Sequence, residues 1–388
     1  MIVVAVGFAL GCRPNGKSKD TSPADIQKLL GQRYRKLLNF PVAGNAIPRS
    51  KRMNSDELWS VSPGDWTSGF FSGNLWSLFQ LTGDSAYFHR AKEWTALMES
   101  EKNDRSTHDV GFKMMSSFGR GYALNQDSTY REILIQSART LSLRFNTKVQ
   151  SLRSWDFNRD LWEFPVIIDN MMNLELLFEA TRMTGDSIYY DIAVAHANTT
   201  LNNHFRPDNS TYHVVVYDTL TGGVKERITH QGYKNESTWA RGQAWAIYGF
   251  TMAYRYTKDP RYVDRARAAA DYFLGQPNLP KDGIPFWDFH DEAIPNAPRD
   301  ASAACILASA LFELAEYTKD ATYVGKANNI LDHLRTESYV LSADHDIPFI
   351  LDHSTGNLPK DSEIDVPIVY ADYYFLEAVL RQQQLERP

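Results

Sequence analysis

Two carboxylates in this 388-residue chain combine the right residue type with an unusual setting. Asp109, in STHDVGFKM, and Asp169, in FPVIIDNMMNL, each stand where loop residues give way to an apolar helix. Paired acids in different surroundings are the usual way to divide acid and base work in glycoside chemistry. Asp169 follows Val166, Ile167 and Ile168, so loss of water around it would raise its pKa and keep a proton available for donation. A short acid at a helix start is just as well suited to capping free N–H groups, and the residues alone leave the two roles open. Asp65, Asp300 and Asp372 occupy similar positions, and the pattern does not separate them from the pair.

The stretch HQGYKNESTWARGQAWAIYG at 230–249 is the densest polar motif, with Gln231, Trp239, Arg241 and Trp245. An arginine between two indoles is equipped to grip a carboxylate with both prongs, or to pair with an acid of the scaffold. His213, in STYHVVVYD, lies on a strand-like stretch and reads either as a cleft residue or as a surface histidine. Aromatic residues crowd the same loops: Trp59, Trp66, Phe70 and Phe71, then Trp155 and Trp162, then Trp287 and Phe289. Sugar rings stack their C–H faces on such side chains; packing of a wide core is the competing reading. Ser354, Thr355 and Lys360, in DHSTGNLPKDSEID, are further polar candidates for a ligand contact, with solvation the ordinary state of a loop lysine.

Other chemistries lack their residues. There is no Gly-rich phosphate loop, HExxH, paired CxxC or GxSxG, and the ten histidines do not show metal-ligand spacing. No cofactor or metal is expected. A net charge of −6 without a Lys/Arg run argues against a nucleic-acid surface. Residues 1–12 (MIVVAVGFALGC) are apolar and end in Ala9-Leu10-Gly11-Cys12, an imperfect lipobox before a polar tether to residue 22. The expectation is an exported bacterial protein, periplasmic or anchored through lipid on Cys12, with residues 23–388 as one domain. Cys12 and Cys305 are too few for a disulfide framework.

The elements that must position these residues announce themselves by repetition. LTGDSAYFHRAKEW at 81–94 recurs as LNQDSTYREILIQSA at 124–138, MTGDSIYYDIAVAHA at 183–197, YTKDPRYVDRARAAADY at 256–272 and YTKDATYVGKANNIL at 317–331. Asp84, Asp127, Asp186, Asp259 and Asp320 are equivalent, as are Tyr87, Tyr130, Tyr189, Tyr262 and Tyr323. Each Asp sits where an apolar helix ends and an amphipathic one begins, the place for an N-cap. Five helix pairs, plus an outer-type helix at 23–39 and an inner-type helix at 366–384, make an all-α (α/α)6 toroid. The inner helices are expected near 68–81, 112–124, 169–183, 240–256 and 301–317. Turns within pairs are short and connections between pairs are long, so binding and catalysis belong to the face that carries the long loops.

DWTSGFFSGNLW (65–76), HDVGF (108–112), DNMMNLELLFEA (169–180), STWARGQAWAIYGF (237–250), RDASAACILASALFEL (299–314) and DVPIVYADYYFLEAVL (365–380) together resemble glycoside hydrolase family 88, the unsaturated glucuronyl hydrolases. The resemblance implies the same barrel, with Asp169 as general acid/base and Asp109 as the second essential carboxylate. It implies substrate contacts from His213, Gln231, Arg241, Trp245, Trp239, Trp66 and Trp155. The implied substrate is a lyase-generated glycosaminoglycan oligosaccharide whose terminal uronate carries a C4=C5 double bond. The related unsaturated rhamnogalacturonyl hydrolases and a non-catalytic oligosaccharide-binding lipoprotein are the alternatives.

Overall fold

A computed structural model of the chain describes residues 22–386. The leader reading, including Cys12, falls almost wholly outside them. The repeat fixes the helix boundaries by a two-part device. Each inner helix of the repeat ends on a residue in the left-handed conformation, five in all: Gly83, Gln126, Gly185, Lys258 and Lys319. The next residue is the repeated Asp, whose carboxylate accepts the N–H two positions on, at Ala86, Thr129, Ile188, Arg261 and Thr322. A left-handed stop followed at once by an acidic cap turns the chain back with its orphan polar groups satisfied. All five repeated tyrosines are buried.

The inner helices are α2 (Ser68–Thr82), α4 (Val110–Met114) continued through a π turn into α5 (Arg120–Asn125), α7 (Leu174–Thr184), α9 (Ala240–Thr257), α11 (Ala301–Thr318) and α13 (Val369–Glu386). Each packs on the next, and α13 packs on both α11 and α2, which closes the ring. The outer helices are α1 (Pro23–Asn39), α3 (Ser85–Ala96), α6 (Ser128–Ser142), α8 (Ser187–Asn203), α10 (Pro260–Leu274) and α12 (Ala321–Leu334). The two layers differ as their environments require. Every residue from Ala240 to Ala253 and from Ala301 to Ala315 is buried, whereas α10 buries one stripe. The expected (α/α)6 toroid is the fold.

Three details depart from the sequence reading. The third inner helix does not start at Asp169: residues Ile168–Asn173 form a 3-10 turn, and α7 follows. The second is interrupted at Met115–Gly119, where the Ser116 and Ser117 hydroxyls donate back to the Phe112 and Lys113 carbonyls. The long loops also carry short strands, β1 (Ile47–Lys51) and β2 (Leu58–Val61), β3 (Phe145–Asn146) and β4 (Ser151–Leu152), and a sheet of β5 (Phe164–Ile167), β6 (Val214–Tyr217) and β7 (Val224–Ile228) in that order. Periodicity over such short runs is too brief to separate strand from loop. No helix among the described residues is long and apolar enough to cross a membrane.

Candidate active site

The β5–β6–β7 sheet assembles the site. β5 and β6 are antiparallel with Ile167 opposite Val214, and the Ile168 N–H extends the ladder to the His213 carbonyl at 3.0 Å. Asp169 and His213 are thereby placed side by side, with His213 Nε2 3.9 Å from Asp169 Oδ2. β7 pairs with β6 and delivers the N–H groups of His230 and Gln231, which both donate to His213 Nδ1 at 3.1 Å. Two backbone donors on Nδ1 leave the proton on Nε2. Burial first, then the charges of His230 and Arg241, push the His213 pKa well below the usual range. His213 is therefore neutral, with a spare N–H donor directed at Asp169.

Asp109 is tied to the same sheet through Ser154. The His108 Nδ1–H donates to the Ser154 carbonyl at 2.7 Å, and the Ser154 hydroxyl accepts the Ile167 N–H at 3.0 Å. His108 Nε2 lies 3.3 Å from Asp109 Oδ1, while Thr107 Oγ1 donates to Asp109 Oδ2 at 2.9 Å.

The five acids at inner-helix starts now separate. Asp65 accepts from Thr67 and pairs with Arg49. Asp300 accepts the Ser302 N–H and hydroxyl and pairs with Arg241. Asp372 accepts the N–H groups of Ile350 and Leu351. These three are consumed by the scaffold. Asp169 is different: it is buried, and no group bonds its Oδ2. Burial pushes its pKa up to about 7; Arg241 opposes the rise, and the negative charge of Asp109 adds to it. Other buried polar atoms beside the two acids also lack partners: His213 Nε2 and Trp245 Nε1 next to Asp169, and His108 Nε2 next to Asp109. Orphaned polar atoms are rare in protein interiors; here they form a ready set of contacts for a polyhydroxylated ligand.

The remaining sequence-predicted residues take distinct places. Arg241 is fully buried over the Trp239 ring, 4.5 Å from its centroid. Its Nη1 donates to Asp300 at 2.7 Å and to the Thr355 carbonyl at 2.5 Å, and its Nη2 donates to the Gly356 carbonyl. Of the two roles open to Arg241, these bonds supply the second, partner of a scaffold acid: the guanidinium straps the 352–365 loop to the ring. Gln231 reaches the same Gly356 carbonyl at 3.4 Å. Trp245 is wholly buried between Phe112 and Tyr374, and so forms the back of the site rather than a stacking platform. Trp66 is partly exposed and borders it, its ring 5.6 Å from Phe112 and 5.0 Å from Tyr370. Trp155 stacks on Phe157 with centroids 4.9 Å apart and lies 5.9 Å from His213. Phe71 is not at the mouth; it packs edge-on against Trp94 on the outer side of α2. A cavity of about 710 Å³ lies elsewhere, among Arg120, Glu175, Arg255, Glu313, Glu377 and Arg381. Its charges pair with one another, and it contains neither acid of the site.

Residues 42–256 match the family profile for Glycosyl Hydrolase Family 88. The chain belongs to that family. It is 54% identical to the unsaturated glucuronyl hydrolase of Formosa agariphila, over 96% of this chain and 94% of that protein. A crystal structure of an unsaturated glucuronyl hydrolase specific for heparin superposes with a TM-score of 0.89 at 42% identity, covering 94% of this chain and 97% of the other. An unsaturated chondroitin disaccharide hydrolase of Streptococcus pneumoniae is 30% identical over 82% of this chain and 81% of its own. As a family 88 member the chain is a glycoside hydrolase.

Within this family 88 site, the sequence pattern does not single out His108, Ser154 or Phe157. His108 was within reach, since it adjoins Asp109 in the HDVGF motif. Ser154 acts mainly through its backbone and through a hydroxyl that joins two loops, and nothing in its sequence neighbourhood signals that.

Proposed function

We propose that this enzyme removes the 4,5-unsaturated uronic acid from the non-reducing end of lyase-generated glycosaminoglycan oligosaccharides. The observation that carries the reading is Asp169: a buried carboxyl with a free oxygen and a pKa raised to about 7, beside a second carboxylate. The substrate's terminal ring is a vinyl ether. Protonation at C4 by Asp169 places oxocarbenium character at C5, where water adds. Asp169, now ionised, takes a proton from that water. The resulting hemiketal opens and releases the neighbouring sugar, so no covalent glycosyl intermediate forms. His213, a neutral donor through Nε2, is placed to hold a substrate oxygen, and Trp66 and Trp155 offer apolar faces to the rings.

Greater likeness to the heparin-specific enzyme than to the chondroitin enzyme supports heparin-lyase products as the first substrates to try. The charge of Lys360 lowers the pKa of His230, whose ring packs near Trp155 and Phe157, which supports Lys360 as the contact for a sulfate on the second sugar. The leader sequence supports export, with Cys12 as the candidate anchor. The test is loss of the ultraviolet absorbance of the enol ether in lyase digests of heparin, chondroitin, hyaluronan and pectin. Persistence in all four overturns the reading, binding without loss of absorbance favours a non-catalytic sugar-binding role, and preference for the pectin digest favours the rhamnogalacturonyl alternative.

A further inference from the structure

Among the described residues, Asp109 breaks a rule that the chain otherwise keeps. Six other Asp residues at N-cap positions, Asp84, Asp127, Asp186, Asp259, Asp300 and Asp320, each turn the carboxylate inward to accept the N–H two residues on. Asp109 is the N-cap of α4, yet its carboxylate accepts no N–H from that helix. The N–H one position further on, that of Phe112 in the same first turn, is taken by Asn173 Oδ1 at 2.7 Å, a residue 61 positions away, while the Gly111 backbone, two residues on from Asp109, packs directly against Asn173. The facing group is a donor, so the amide presents its oxygen there.

Asn173 is poorly explained as packing. It is itself the N-cap of α7 and does not cap that helix. It is wholly buried, and its Nδ2 has no partner, a cost that an apolar side chain would avoid. The contact is also close: a Cβ on Gly111 would stand 2.4 Å from Asn173 Cα and 2.6 Å from Oδ1. Only glycine at 111 admits Asn173 to the first turn of α4.

We propose that Asn173 is a positioning residue that caps α4 from the neighbouring helix, so that the Asp109 carboxylate is released from capping and held at the site. The inference rests on the reading of Asp109 as a working carboxylate. It follows from crowding at the first-turn donors: an exposed first-turn N–H draws the nearest acidic side chain, and with Asn173 in place the Phe112 N–H is occupied and the Gly111 backbone is packed against Asn173. Asn173 lies four positions after Asp169, so the same 3-10 turn that carries the buried acid also frees its partner.

The test is Asn173→Ala, alone and combined with Asp109→Asn. Alone, it is expected to lower kcat/KM by roughly 10²-fold or more, approaching the effect of Asp109→Asn, with little loss of thermal stability because Asp109 swings in to cap. In the Asp109→Asn background the same change is expected to cost less than about twofold, since coupled residues are non-additive. Losses that multiply would overturn the proposal, as would unchanged kcat/KM in the single variant. A crystal structure of Asn173→Ala supplies a readout independent of turnover: the Asp109 carboxylate is expected on the N–H of Gly111 or Phe112, and finding it still beside His108 refutes the idea. Asn173→Asp retains an oxygen acceptor and is expected to leave Asp109 where it is. If no unsaturated substrate is cleaved by the parent enzyme, the functional reading fails while the structural arm still decides the capping.

Discussion

Replacing Asp169 by Asn should stabilise the protein while destroying its activity, and the stabilisation should grow with pH over a defined window. In the folded chain the carboxyl keeps its proton up to about pH 7; in the unfolded chain it ionises near about 3.9. Between those values the folded state holds one more proton than the unfolded state, so stability falls as pH rises. A shift of about three units at about 1.4 kcal/mol each amounts to roughly 4 kcal/mol, lost progressively from about pH 4 to pH 7 and constant above. Asn carries no such cost. With about 2.1 cal/mol/K of unfolding entropy per residue in a chain of 388 residues, the gap in Tm between variant and parent should widen by about 5 °C across the window. Thermal melts of both proteins over a pH series measure it, and the other titrating groups cancel in the difference. A gap that stays flat would show that Asp169 is not held protonated by burial, and the general-acid assignment would lose its physical basis. The parent's kcat should fall about tenfold per pH unit above about pH 7 as the proton donor is depleted.

Asp109→Asn removes a negative charge that helps to raise the Asp169 pKa; the alkaline limb of the pH–rate profile should move to lower pH, with kcat down by at least about 10²-fold. Asp300→Ala leaves the Arg241 guanidinium buried without its anion, at a cost of about 3–5 kcal/mol, and limited proteolysis should then cut within 352–365. Trp155→Ala removes the ring stacked on Phe157 and should raise KM by roughly fivefold with little change in kcat, as expected for loss of about 1 kcal/mol of stacking. Asp320→Ala, at the closed end of the ring, should cost about 1 kcal/mol of stability in denaturant melts and leave kcat/KM unchanged.

The ring was legible because it is built from a repeated local signal. A left-handed stop, an Asp cap and a buried Tyr recur five times, and each part acts within a few residues of itself. Asp169 was legible for a related reason, since the apolar run before it is the strand that buries it. What the linear chain hides is competition for partners across the fold. Arg241 between indoles reads equally as a ligand cation or a scaffold partner until Asp300 and two loop carbonyls are seen around it. Asp65, Asp300 and Asp372 read like Asp109 and Asp169 until their donors are counted. The capping role that competed with catalysis for Asp109 is filled from another helix, and such a long-range substitution leaves no trace in local spacing.

The closure of the ring by α13 carries a consequence for biosynthesis. This last helix supplies Tyr370 beside Trp66, and Tyr374 behind Trp245, and it joins α11 to α2. While α13 is still inside the ribosome, the first and last walls have nothing to lean on, and the pocket lacks one side. The hairpins already made can form their turns and caps as they emerge, but the catalytic chamber comes into being in a single late event. A nascent chain thus lacks a complete site until α13 has emerged, and a chain stopped before α13 is an arc with an exposed apolar seam.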